Sequence, residues 1–251
     1  MHPLIKFLLF HVLICLGQNV SAFGAKIING HKAEKNTMQY MAYLDANEYA
    51  CGGFLVSEDF VMTAAHCAGL TEVILGTHDL KYIKNDTMVY GVKNECIHPY
   101  YDDQTVKNDI MLVKLSRKAQ LGENIKLIEI PTHPKPLKPQ QNCTVAGWGL
   151  TKTAGNSADE LQVVDVPIID LEKCHKLWDG LPPKVICAGG YSTNKGFCDG
   201  DSGGPLVCDG VAVGVVSFGE EKCDYPALPN VYTDISKFLP WINGILKKKT
   251  C

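Results

Sequence analysis

The sequence lacks a membrane-spanning run: the apolar stretch from Phe7 to Leu16 falls well short of the roughly 20 residues that a bilayer requires. A weakly basic start (His2, Lys6), a polar break at Gly17-Gln18-Asn19 and small residues at Val20 and Ala22 make residues 1–22 read as a signal peptide cut after Ala22. An excess of basic charge is missing too. The formal charge is −3, and removing residues 1–26 takes away two lysines and no acid, which leaves −5. Nucleic acid and anionic membrane are therefore not expected partners, and Lys247-Lys248-Lys249 reads as a solvated helix end. No cysteine pair has zinc-finger spacing, so no metal and no cofactor is expected. Helical periodicity is absent from Tyr40 to Val61 and from Glu72 to Ile97, and no histidine follows Ser202.

What is present is a folded, secreted-type composition. With 46% hydrophobic and 20% charged residues, disorder is excluded. Of eleven cysteines, Cys15 falls in the signal segment and ten remain, an even set that implies disulfides in an oxidising compartment, secreted or granular. Sequons at Asn85 and Asn142 are candidate glycan acceptors. Short β-branched and aromatic runs, broken by Gly, Asn and Asp, fill both halves of the chain. Four prolines between Pro131 and Pro139 make an extended linker. One short helix is predicted around Leu171 to Trp178, and another from near Ile235 to the end, with Phe238, Ile242, Ile245 and Leu246 on one face. The expected fold is all-β: two antiparallel six-stranded β-barrels, residues 27–131 and 132–251, with a C-terminal α-helix.

The most distinctive stretch is Gly200-Asp201-Ser202-Gly203-Gly204-Pro205, a serine in a tight turn with nothing bulky to hide its hydroxyl. A Gly-rich turn alone is usually only a turn, so a nucleophile there needs a base, an orienting acid and an oxyanion site. His66 stands among small residues in Val61-Met62-Thr63-Ala64-Ala65-His66-Cys67, where Cys67 can clamp it; a satisfied structural histidine is the default for any single one. Asp109 lies at the mouth of the apolar run Ile110 to Leu115, equally readable as a strand-end cap. Chain order excludes an α/β-hydrolase, whose histidine follows its serine. It leaves the order His66, Asp109, Ser202, or a subtilisin-like order with an acid before His66, for which no distinctive motif is present.

Thr63 to Cys67, Asn108 to Leu112, Gly200 to Pro205, Ile27-Ile28-Asn29-Gly30 and Ser217-Phe218-Gly219 together resemble a trypsin/chymotrypsin-type serine endopeptidase from Ile27 to the C-terminus. Leu75-Gly76-Thr77-His78 and Gln39-Tyr40-Met41-Ala42 resemble its granzyme, chymase and mast-cell protease group. A pair of Cys198 with Cys223, which that group generally lacks, and the non-acidic segment Phe23 to Lys26 depart from it. The resemblance implies a chymotrypsin-like fold, a monomer acting on polypeptides, and Ser202 as nucleophile, His66 as general base and Asp109 as its orienting acid. It implies an oxyanion hole from the backbone N–H groups of Gly200 and Ser202. It also implies a zymogen: residues 23–26 form an activation peptide, an activating protease cuts after Lys26, and the new Ile27 ammonium pairs with Asp201. Protein protease inhibitors are further expected partners.

From similar enzymes the disulfides are expected to be Cys51–Cys67, Cys143–Cys208, Cys174–Cys187 and Cys198–Cys223, with Cys96 and Cys251 pairing by parity. The loop after Gly76 lacks the two carboxylates of calcium-binding trypsins. Where trypsin-like members carry a pocket aspartate this chain has Gly196, so cleavage after Arg or Lys is not expected. The substrate pocket is expected to involve Gly196, Phe197, Ser217, Phe218, Gly219 and Asn230, with Phe197 either narrowing it or facing away. Asp199, Glu220 and Glu221 are expected to make an acidic rim. A neutral P1 side chain, apolar or polar, is the expected preference. The competing readings are a catalytically inactive, protease-like binding protein and a digestive or venom-type protease of the same chemistry.

Overall fold

In the computed structural model, residues 27–84, 88–134, 136–223 and 226–251 are described. The expected signal segment 1–22, the expected activation segment 23–26 and the Asn85 sequon lie outside them. The first barrel is built from β2 (Met41–Asp45), β3 (Ala50–Ser57), β4 (Phe60–Thr63), β5 (Glu72–Leu75), β6 (Val89–Ile97) and β7 (Met111–Leu115). These antiparallel strands close in the order β2-β3-β4-β7-β6-β5. The second barrel uses β8 (Asn142–Gly147), β9 (Gln162–Ile169), β10 (Val185–Ala188), β11 (Pro205–Cys208), β12 (Val211–Phe218) and β13 (Asn230–Asp234), and the pairing of β8 with β9 closes it. The expected all-β, chymotrypsin-like pair of six-stranded barrels is the architecture observed.

Burial explains the strands. All four residues of β4 are buried because one face fills the barrel and the other meets neighbouring elements. Tyr90 and Tyr232 are fully buried, one in each core. Two helices appear. In α1 (Leu171–Leu177) the Asp170 carboxylate accepts from the Lys173 N–H and caps the first turn. In α2 (Leu239–Lys248) Leu239, Ile242 and Ile245 form a buried stripe at helical spacing.

Packing crosses the linker at both ends of the chain. The short β1 (His31–Lys32) pairs with β9 of the second barrel, and Ile27 is fully buried in that barrel's core. Conversely, Phe238, Ile242 and Ile245 pack into the first barrel's core, and Cys251 is bonded to Cys96 on β6. Division at residue 131 follows chain order, whereas the apolar faces of the two end segments find their partners on the far barrel.

Candidate active site

His66 sits in a 3-10 turn, Ala65–Cys67, directly after β4. The Cys51–Cys67 disulfide ties that turn back to β3. Asp109 lies two residues before β7, whose start pairs with the end of β4, so it stands at the same end of the barrel as His66, with its side chain fully buried. Its Oδ1 accepts from the His66 backbone N–H at 3.0 Å, and its Oδ2 lies 2.8 Å from His66 Nδ1. The Ser217 hydroxyl donates to the same Oδ2 at 2.6 Å, and the Thr233 hydroxyl donates to the Asp109 carbonyl at 2.7 Å. A neutral imidazole that donates from Nδ1 carries its lone pair on Nε2, and the ring is 30% exposed, so it can still meet a substrate.

Ser202 comes from two linked turns of the second barrel. Asp201 N–H donates to the Cys198 carbonyl at 3.1 Å, and Gly204 N–H donates to the Asp201 carbonyl at 3.0 Å. Gly203 between them has φ +79°, and a Cβ there would lie 1.9 Å from Thr63 Oγ1, so only glycine fits. The loop is held to the first barrel by Gly52 N–H, which donates to the Ser202 carbonyl at 2.7 Å. Gly52 adjoins Cys51, which is bonded to Cys67 beside His66, and Thr63 lies three residues before His66. These contacts bring Ser202 to the end of the first barrel that carries His66 and Asp109.

Asp201 is fully buried. Its carboxylate accepts from Gly149 N–H at 2.8 Å and Cys198 N–H at 3.0 Å. Burial nonetheless pushes its pKa up to about 7, with the nearby Asp199 charge adding to the rise. Ile27 fills an apolar slot in the same barrel, and Ile28 N–H donates to the Gly196 carbonyl at 3.1 Å. Gly149, a holder of Asp201, and Thr233 were not marked by the sequence, because each acts through a local contact that no short motif carries.

The pocket segments meet only in part as expected. Asn230 is 3% exposed, and its carboxamide lies between Gly196 and Gly219. A Cβ on Gly196 would be 1.8 Å from Asn230 Oδ1, and one on Gly219 would be 2.8 Å from Asn230 Nδ2. The Phe197 ring packs in the second barrel, where it meets Tyr232 edge-on at 5.3 Å, and another edge reaches Gly219, so the side chain faces both the core and that wall. Phe218 turns to Trp178, and the Ser217 hydroxyl serves Asp109, so these two reach a pocket through their backbone only. Asp199 and Glu221 are exposed, and the half-buried Glu220 carboxylate accepts from Leu228 N–H.

The five disulfides are Cys51–Cys67, Cys96–Cys251, Cys143–Cys208, Cys174–Cys187 and Cys198–Cys223. Donor atoms of Cys51, His66 and Cys67 lie within 4.8 Å of one another, but both sulfurs are in a disulfide and offer no thiolate to a metal. Asn142 is exposed at the start of β8, open to a glycan.

The Trypsin family profile matches residues 27–242. Mast cell protease 3 of Ovis aries is 45% identical over 96% of this chain and 96% of its own. Duodenase-1 of Bos taurus is 43% identical over 89% and 90%, and cathepsin G of Homo sapiens is 37% identical over 98% and 95%. With two barrels meeting at this cluster and a match across nearly the whole chain, the protein belongs to the Trypsin family and is a serine endopeptidase.

Proposed function

We propose that the chain is made as a secreted or granule-stored zymogen and, once cut after Lys26, hydrolyses peptide bonds through His66, Asp109 and Ser202. The observation that carries this reading is the Asp109 carboxylate, which holds both the backbone and the Nδ1 of His66 and so commits Nε2 to act as base. Ser202 Oγ attacks the scissile carbonyl while His66 takes its proton. The tetrahedral oxyanion is met by the N–H groups of Gly200 and Ser202, and His66 then returns the proton to the leaving amine. Water repeats the sequence on the acyl-enzyme. Each oxyanion donor is worth on the order of 3 kcal/mol in the transition state.

Support for the zymogen comes from Asp201. A buried carboxylate with a pKa near 7 lacks a strong cationic partner, and the Ile27 amino group freed by cleavage would supply one. Five disulfides fit an oxidising compartment. At the pocket, Gly196 offers no carboxylate, which favours a neutral P1 side chain over Arg or Lys. A monomer, an activating protease and protein inhibitors complete the reading. The test is a fluorophosphonate probe. The cut enzyme should label and Ser202→Ala should not, while Lys26→Gln should give a chain that stays unlabelled. Rapid labelling of Lys26→Gln would end the zymogen proposal.

A further inference from the structure

Gln162, at the start of β9, is fully buried, and its Oε1 has no hydrogen-bond partner among the described residues. Its Nε2 donates to the Glu160 carbonyl, an atom that only accepts, so the amide is fixed with its oxygen turned the other way. Native proteins leave few buried polar atoms unsatisfied, and such an oxygen calls for a donor.

The strand pattern shows which way that oxygen faces. Leu161 and Val163, on either side of Gln162, pack with Ala146 and Trp148 in one cluster, whereas Val164 and Val166 turn with Val145 into the core that holds Ile27. Side chains alternate along a strand, so Gln162 shares the face of Val164 and Ile27. Directly opposite it on β8 is Gly147. Cross-strand partners place their Cβ positions about 5 Å apart on one face. The Asp201 carboxylate fills the space that a Gly147 side chain would need, since a Cβ there would run into its Oδ1. The Gln162 amide is thereby placed beside Asp201, with Ile27 in the same core.

We propose that Gln162 is a positioning residue of the activation switch: its Oε1 accepts an N–H from the Ile27 ammonium that cutting after Lys26 frees, and so holds that ammonium on Asp201. The proposal rests on the zymogen reading above and adds a neutral acceptor to the ion pair. An ammonium carries three N–H donors, and a buried cation is costly unless they are met. Each Asp201 oxygen already takes one backbone N–H, from Gly149 and from Cys198. Tyr232 Oη, also unpartnered and near Asp201, carries a proton of its own that it can give to the carboxylate, whereas Gln162 Oε1 can only accept. Before cleavage that oxygen has no cation to bind, so its contribution begins with the cut.

The experiment compares wild type with Gln162→Met, a near-isostere without the oxygen, before and after cutting at Lys26. Cyanate carbamylates the Ile27 amine when it swings out of the core. Once cut, Gln162→Met should react about tenfold faster than wild type or more, and should label correspondingly more slowly with fluorophosphonate. Its alkaline limb of activity should move down by about one pH unit, because an acceptor that favours the charged amine is gone. The uncut chains should have closely similar urea midpoints. Equal cyanate rates and equal alkaline limbs for the two cut proteins overturn the proposal, as does a variant that is destabilised alike in both forms with no gain in cyanate rate. Should Gln162→Met not be secreted, wild type with 13C-labelled glutamine supplies the readout: the Gln162 side-chain carbonyl should move downfield on cutting, and an unmoved resonance overturns the proposal. Cut wild type that labels fully while its Ile27 amine reacts as fast as a free peptide overturns the zymogen reading instead, and cut wild type that never labels overturns the peptidase reading.

Discussion

Asp109 and Asp201 are both fully buried carboxylates, yet their surroundings treat them differently. Asp109 receives a backbone N–H, an imidazole and a hydroxyl, the last from the opposite barrel. Asp201 receives two amide N–H groups from its own barrel and is left with a pKa near 7. The contrast extends beyond the pair. Among the described residues, the buried side-chain atoms without a partner are Gln162 Oε1, Asn230 Oδ1 and Tyr232 Oη, all in the second barrel. A finished hydrogen-bond set positions a group, whereas an unfinished one can accept something from outside. The half that carries His66 is finished, and the half that carries Ser202 is the one built to receive.

The sharpest way to break this contrast is Asp109→Asn. The amide cannot accept from every donor that Asp109 serves, and the His66 tautomer reverses. We expect kcat to fall about 10⁴-fold with the thermal midpoint largely retained. A loss below tenfold would show that Asp109 is not what orients the base. Next is Asp201→Asn in the uncut chain. Below pH 4 the carboxyl is protonated in folded and unfolded states alike. Between about pH 4 and 7 only the unfolded form ionises, so the uncut chain should lose stability as pH rises, by on the order of a few kcal/mol, and level off above 7. Asparagine should remove that decline. Urea midpoints from pH 4.5 to 7.5 test this, and parallel curves for the two proteins would refute it. The smallest effect is Ser217→Ala, which deletes one of the donors to Asp109. About 1 kcal/mol is expected, read as a five- to tenfold fall in kcat at unchanged KM. A fall as large as that of Asp109→Asn would make the hydroxyl indispensable rather than auxiliary.

Much of the fold and the site was legible in the sequence. Glycine, serine and small-residue motifs mark backbone positions where only a few residue types fit, so the His66 turn and the Gly200 to Pro205 loop stand out. The terminal helix is legible because Ile242 and Ile245 repeat at helical spacing, although it begins at Leu239, after a separate 3-10 turn over Ile235–Lys237, rather than near Ile235. Direction is harder. Whether Phe197 faces pocket or core depends on Tyr232, which packs against it from β13. Phe218 is decided by Trp178 on the far side of a loop. Glu220 reads as a free surface charge, whereas Leu228 N–H, eight residues on, fixes its carboxylate. Each of these outcomes is set by a partner distant in sequence, and the chain carries no local sign of it.

The crossing of the two ends sets an order on synthesis and assembly. Cys96 waits for a partner 155 residues later, and the first barrel's core stays open until Phe238, Ile242 and Ile245 have been made. The half translated first thus receives the last side chains of its core from the end of the chain, although its own six strands, β2 to β7, already close the barrel. Cutting at the proline linker would leave each fragment without the end segment that packs on its core, β1 and Ile27 for the second barrel and α2 with Cys251 for the first.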